Sequence, residues 1–81
     1  MRSRIVAARC AEAYRIWVRF ADGLEGEIDL AGDLEGPIFE PLKDPAVFKT
    51  VRLDPVLHTL VWPNGADLAP EFLRSRLLAT A

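Results

Sequence analysis

The chain has 81 residues, one cysteine, a hydrophobic fraction of 51% and a formal net charge of −2 from ten basic and twelve acidic residues. That is one domain, apolar enough to fold, which on folding buries about 60% of the surface its unfolded chain exposes. The acidic balance speaks against a direct nucleic-acid binder, a single cysteine excludes an internal disulfide and a multi-cysteine zinc site, and no apolar run reaches membrane-spanning length.

Residues 4–10 predict a first strand, Ile5-Val6-Ala7-Ala8, closed by a turn at Ala11-Glu12-Ala13. The basic start at Met1-Arg2-Ser3-Arg4 is followed by a run too short and too interrupted, by Arg9 and Glu12, for a signal peptide. With one cysteine, the expected compartment is the reducing cytoplasm.

A hairpin follows. Tyr14, Ile16, Val18 and Phe20 alternate with Arg15, Trp17 and Arg19; Leu24, Gly26, Ile28 and Leu30 alternate with Glu25, Glu27 and Asp29. This period of two on both sides of Ala21-Asp22-Gly23 fixes two arms. A two-residue Asp22-Gly23 turn would set Phe20 against Glu25 and Val18 against Glu27. A three-residue loop with Gly23 at positive φ pairs Phe20 with Leu24, Ile16 with Ile28 and Tyr14 with Leu30. It also gives Arg19 to Glu25 and Arg15 to Asp29 on the opposite face. Since a slip of one residue turns every side chain over, the three-residue loop is the expected register.

Residues 31–41 form a connector broken by Gly32, Gly36, Pro37 and Pro41, with Ile38, Phe39 and Leu42 as its expected anchors in the core. Asp44-Pro45 is a helix start, an N-cap aspartate before a first-turn proline. The helix is expected over residues 45–50, with Val47 and Phe48 buried. Val51-Arg52-Leu53 reads as a strand, and residues 54–58 turn back into a strand over residues 59–62 to complete a second hairpin.

Pro63-Asn64-Gly65 ends that strand, because proline cannot donate to a ladder and Asn-Gly supplies a positive-φ turn. Ala69-Pro70-Glu71 then starts a helix expected to reach about Leu78, with Phe72, Leu73 and Leu77 inward. Asp67 and Glu71 place negative charge near its positive end. The fold class is α+β: two layers, a mostly antiparallel sheet of about five strands, a short helix and a C-terminal helix, in a single domain over residues 1–81.

Several of these segments resemble a bacterial family known as domain of unknown function 2442. The similar segments are Phe20-Ala21-Asp22-Gly23, Asp29-Leu30, Pro41-Leu42-Lys43-Asp44-Pro45-Ala46-Val47-Phe48 and Val51-Arg52-Leu53-Asp54. The most specific is the run from Thr59 to Glu71, which contains Trp62-Pro63-Asn64-Gly65-Ala66-Asp67-Leu68. One departure is Phe72-Leu73, where the family often has Leu-Tyr. The resemblance implies an α+β fold like a domain that some relatives fuse to a helix-turn-helix. It also implies frequent pairing of its gene with that of another small uncharacterised protein, and from that an antitoxin-like role in a toxin–antitoxin pair is expected. It carries no established active site.

No residue set points to catalysis, and the expectation is a non-enzymatic domain with no cofactor and no metal. His58, the sole histidine, reads as a solvated turn residue. Cys10 reads as a buried, inert thiol. Asp67 with Glu71 reads as a capping and dipole pair rather than an acid–base pair. Asp29, Asp33 and Glu35 read as a solvated acidic connector, and Asn64-Gly65 as a turn rather than a ligand cradle. Arg74 and Arg76 are expected on the outer side of the last helix. Trp62 is expected in the core, where strand meets helix.

Trp17 is the residue that alternation does not ask for, since it falls on the charged face between Arg15 and Arg19. Either the arginine stems cover it with cation–π contact, or it anchors an interface, as Trp and Arg often do. The expected function is a protein-interaction module acting on a small protein partner or as a homodimer. A DNA-regulatory accessory domain, reaching DNA only through a partner, is the alternative, and a small ligand-binding domain the second. No membrane role is expected.

Overall fold

The computed structural model describes residues 4–80; residues 1–3, which carry all of the basic start but Arg4, lie outside it, as does residue 81. Three strands, β1 (Ile5–Cys10), β2 (Arg15–Phe20) and β3 (Glu25–Asp29), form an antiparallel sheet in the order β1-β2-β3. A 3-10 turn at Ala31–Asp33 and another at Glu40–Lys43 carry the chain to a short helix, α1 (Pro45–Phe48). The hairpin of β4 (Arg52–Leu53) and β5 (Leu60–Val61) follows, and α2 (Pro70–Thr80) closes the described chain.

The β2–β3 register is the one the alternation selects. Arg15 faces Asp29, Ile16 faces Ile28 and Arg19 faces Glu25. Phe20 N–H donates to Leu24 C=O at 2.7 Å, and Leu30 N–H donates to Tyr14 C=O at 2.9 Å. Gly23 sits at φ +96°, as the three-residue loop needs. One face of the sheet is therefore apolar throughout: Ile5, Ile16, Val18, Phe20, Ile28 and Leu30 are buried. α2 packs on that face, against β3, through Leu73 and Leu77. At Gly26 the approach is close, since an added Cβ would stand 2.8 Å from Leu77 Cδ2.

The five strands divide into a three-stranded and a two-stranded sheet. They meet where Ile5 N–H donates to His58 C=O at 3.0 Å. A β-bulge at Val6 interrupts the β1–β2 ladder there, and bulges bend the strand that carries them.

The connector differs from expectation in its anchors. Leu42 is fully buried and Phe39 partly so, but Ile38 is 45% exposed and Leu34 fills the core in its place. The reason is the first 3-10 turn, which rotates Leu34 inward just after it ends. α1 is shorter than expected; Asp44 caps it by accepting the Ala46 N–H at 2.9 Å. Val47 is only half-buried, while Phe48 is fully buried. α2 runs beyond Leu78, and Phe72 is half-buried at the flank of its inner stripe.

Candidate functional site

The run Trp62-Pro63-Asn64-Gly65 is the most distinctive in the chain, and its side chains are occupied in holding the fold together. Trp62 is buried, its indole Nε1–H donating to Phe48 C=O at 2.8 Å and its ring 5.8 Å from that of Phe48. Tyr14 meets Phe48 edge-on from another side at 5.2 Å, and its hydroxyl donates to Lys43 C=O. These three rings join the entry to β2, the end of α1 and the exit from β5 at one point. A buried indole N–H left without an acceptor would be costly, so Phe48 C=O fixes the ring's orientation.

After Trp62 the chain reverses. Gly65 adopts φ +92° and donates its N–H to Trp62 C=O at 3.0 Å, and Trp62 N–H donates to Ala66 C=O at 2.9 Å. Asn64 uses both ends of its amide, donating to Ile38 C=O at 2.9 Å and accepting Ala66 N–H at 3.1 Å. It thereby ties the turn to the connector. Thr59, buried, donates its hydroxyl to Leu68 C=O.

Asp67 is exposed and its backbone bridges to Val61. Among the described residues its carboxylate accepts no hydrogen bond, so it does not cap α2 by direct bonding as expected. The backbone bridge holds it alongside β5 instead. Glu71 stands exposed in the first turn of α2, where a negative charge suits the helix dipole.

Arg74 and Arg76 correct the expectation of a solvated outer side. Both are half-buried. Arg74 Nη2 meets Asp22 Oδ2 at 2.7 Å, with its guanidinium 5.5 Å from the Phe20 ring. Arg76 pairs with Asp33 and also donates to Asp29 C=O at 2.8 Å. They flank the Leu73–Leu77 stripe, so they reach the hairpin turn and the connector at the sheet's borders. Asp33 is consequently half-buried and paired rather than solvated. The Arg74 hydrogen bond holds the Asp22 carboxyl below its usual range, with the Leu24 N–H adding to this.

His58 is half-buried at φ +56° and serves through its backbone. Its loop is held by Asp54, whose Oδ1 accepts the N–H groups of Val56 and Leu57, both at 2.8 Å. Those two bonds hold the Asp54 carboxyl low. Cys10 is half-buried rather than fully buried, and burial pushes its thiol up, away from thiolate chemistry. Among the described residues no group of three or more His, Cys, Asp or Glu could hold a metal ion, and no helix is long and apolar enough to cross a membrane.

The outer face of the three-stranded sheet remains. Arg9, Arg15, Arg19, Glu25, Glu27 and Asp29 are all exposed there, and Trp17 lies half-buried at their centre. Trp17 stands opposite Arg9 on β1 and opposite Glu27 on β3. The guanidinium carbons of Arg9 and Arg19 lie over the indole at 4.8 and 5.5 Å. Of the two readings of Trp17, arginine cover is present, but from Arg9 and Arg19 rather than from Arg15 and Arg19. The cross-strand neighbour Arg9 lies directly opposite, whereas Arg15 is in register with Asp29. Arg19 Nε also bonds Glu25 Oε2 at 2.7 Å. The face is divided by charge, with arginines on β1 and β2 and carboxylates on β3. Sequence reasoning missed Arg9, because its role depends on the β1–β2 register.

No curated protein and no solved structure matches the chain. One family model, described as protein of unknown function (DUF2442), matches residues 5–77. That match takes in every strand of the described residues and α2 as far as Leu77, including the segment that turns at Asn64-Gly65. The chain therefore belongs to the family of proteins of unknown function 2442.

Proposed function

We propose that the chain is a non-enzymatic protein-interaction module of the bacterial cytoplasm, whose working surface is the outer face of the three-stranded sheet. The observation that carries this reading is Trp17. It lies half-buried at the centre of an exposed, charge-divided face, and although Arg9 and Arg19 cover its ring, the ring and the guanidinium groups together offer one aromatic and cationic patch to a partner. Trp and Arg are the residue types that most often dominate binding energy at the centre of an interface. The other distinctive residues, Trp62, Asn64 and Gly65, are engaged within the fold. The partner is a small protein or a second copy, and the family resemblance favours an antitoxin-like role beside a small neighbouring protein.

Arg74 and Arg76, the basic residues of α2, are paired with Asp22 and Asp33. This favours a protein partner over direct contact with phosphates. Retrieval of a tagged copy from its native cell tests the reading. A protein recovered in stoichiometric amount supports it. Co-purifying DNA would favour a regulatory accessory role, and a retained small molecule a ligand-binding one.

A further inference from the structure

Sheet edges expose rows of backbone N–H and C=O groups that can pair with another chain. Among the described residues two lengths of edge have no backbone partner, β3 and the part of β1 beyond Ile5, and β3 is the one lined by a row of like charge. β1 has the β4–β5 hairpin beside it, tied through Ile5 N–H to His58 C=O at 3.0 Å. β5 is covered by residues 66–68: Leu68 N–H donates to Leu60 C=O at 3.2 Å, and Val61 bridges Asp67. β3 pairs with β2 on one side only.

Which β3 groups point outward follows from the ladder. Leu24 and Leu30 bond back to β2, through Phe20 and Tyr14. In an antiparallel pair such positions recur every second residue. Gly26 and Ile28 therefore also face β2, and the backbone groups of Glu25 and Glu27 face away from it. Among the described residues, what meets this edge is Arg76, at Asp29 C=O. The strand contains no proline and its register with β2 runs without a bulge.

The side chains beside this edge select its occupant. Glu25, Glu27 and Asp29 all stand on the outer face. A second copy pairing along the same edge would set carboxylates against carboxylates, in parallel or antiparallel sense, and like charges directly opposite are unfavourable. A strand carrying Lys or Arg at every second position would instead meet each acid with a base. We propose that β3 is the docking edge of the interaction surface, and that it takes an extended, alternately basic segment of a partner protein as a fourth strand. This rests on the interaction reading and specifies its partner. Main-chain bonds would supply affinity and the acidic row would supply selection, as in other strand-addition complexes.

The test is an NMR titration of the intact protein with two synthetic peptides, one alternating Lys and Val, the other Glu and Val. The expected result is that the Lys–Val peptide shifts the Glu25 and Glu27 amide signals and slows their hydrogen exchange, while the Glu–Val peptide does neither. Glu27 makes no ion pair among the described residues, so Glu27→Lys should leave the fold intact and weaken Lys–Val binding at least about tenfold. Undiminished binding by Glu27→Lys would overturn the charge selection. No response of the Glu25 and Glu27 amides to either peptide would overturn the proposal and leave the acids as guards against edge pairing. Shifts confined to the Trp17 indole N–H and its arginines would also overturn it, yet leave the interaction reading standing.

Discussion

At Gly23 the backbone holds φ +96°, a conformation that β-branched residues resist. Gly23→Val should therefore lower stability by at least about 1 kcal/mol, read by urea denaturation; an unchanged midpoint would contradict the three-residue loop. Asn64 and Asp67 make a sharper pair. Asn64 bonds Ile38 C=O and Ala66 N–H, whereas Asp67 is exposed with no side-chain bond among the described residues. Asn64→Ala should cost ~1–2 kcal/mol, and Asp67→Ala no more than about 0.5 kcal/mol. If Asp67→Ala abolished partner binding at unchanged stability, Asp67 would belong to the working surface. Asp22 and Asp54 supply a pH test. Both carboxyls are held below their ordinary value of 3.8, Asp22 by Arg74 and Asp54 by the N–H groups of Leu57 and Val56. A depressed folded-state value means a contribution fully present above the unfolded value and lost as pH falls through the folded one. Stability should therefore decline below about pH 4, and Asp22→Asn with Asp54→Asn should flatten that decline in acid titrations followed by circular dichroism.

Among the elements, α2 is held to the sheet by Leu73 and Leu77 inside and by the Arg74 and Arg76 pairs at its borders. Leu73 is fully buried, so Leu73→Ala should cost ~2–5 kcal/mol. Arg74→Ala, which removes a partly exposed pair, should cost much less than Leu73→Ala; thermal melts of both variants would give the ranking. The hairpin of β2 and β3 was legible in the sequence, because two alternating arms and one glycine leave a single register that buries an apolar face. The turn after Trp62 was legible for a similar local reason, with Pro, Asn and Gly each restricting the backbone. The connector was not. Whether Ile38 or Leu34 enters the core depends on two 3-10 turns that no periodicity announces. The arginines of α2 were misplaced because their partners, Asp22 and Asp33, lie 52 and 43 residues away in the chain. The same limit hid Arg9, which meets Trp17 only through strand pairing.

The molecule as a whole is small. Domains of this size gain only a few kcal/mol from their own cores. Its apolar side is used up by α2, α1 and the second hairpin, and its other side is a charged sheet with a tryptophan in the middle. This second side is where the protein is proposed to meet its partner. The most direct measurement is sedimentation velocity of the complex recovered from native cells, or of the self-associated protein, with wild type and Trp17→Ala compared at matched concentration. Truncating a central aromatic typically costs ~2 kcal/mol or more of binding, so the variant should associate at least about tenfold more weakly while melting at the same temperature as wild type. Equal association by the two proteins, or a wild type that stays monomeric and brings no partner from the cell, would contradict the account.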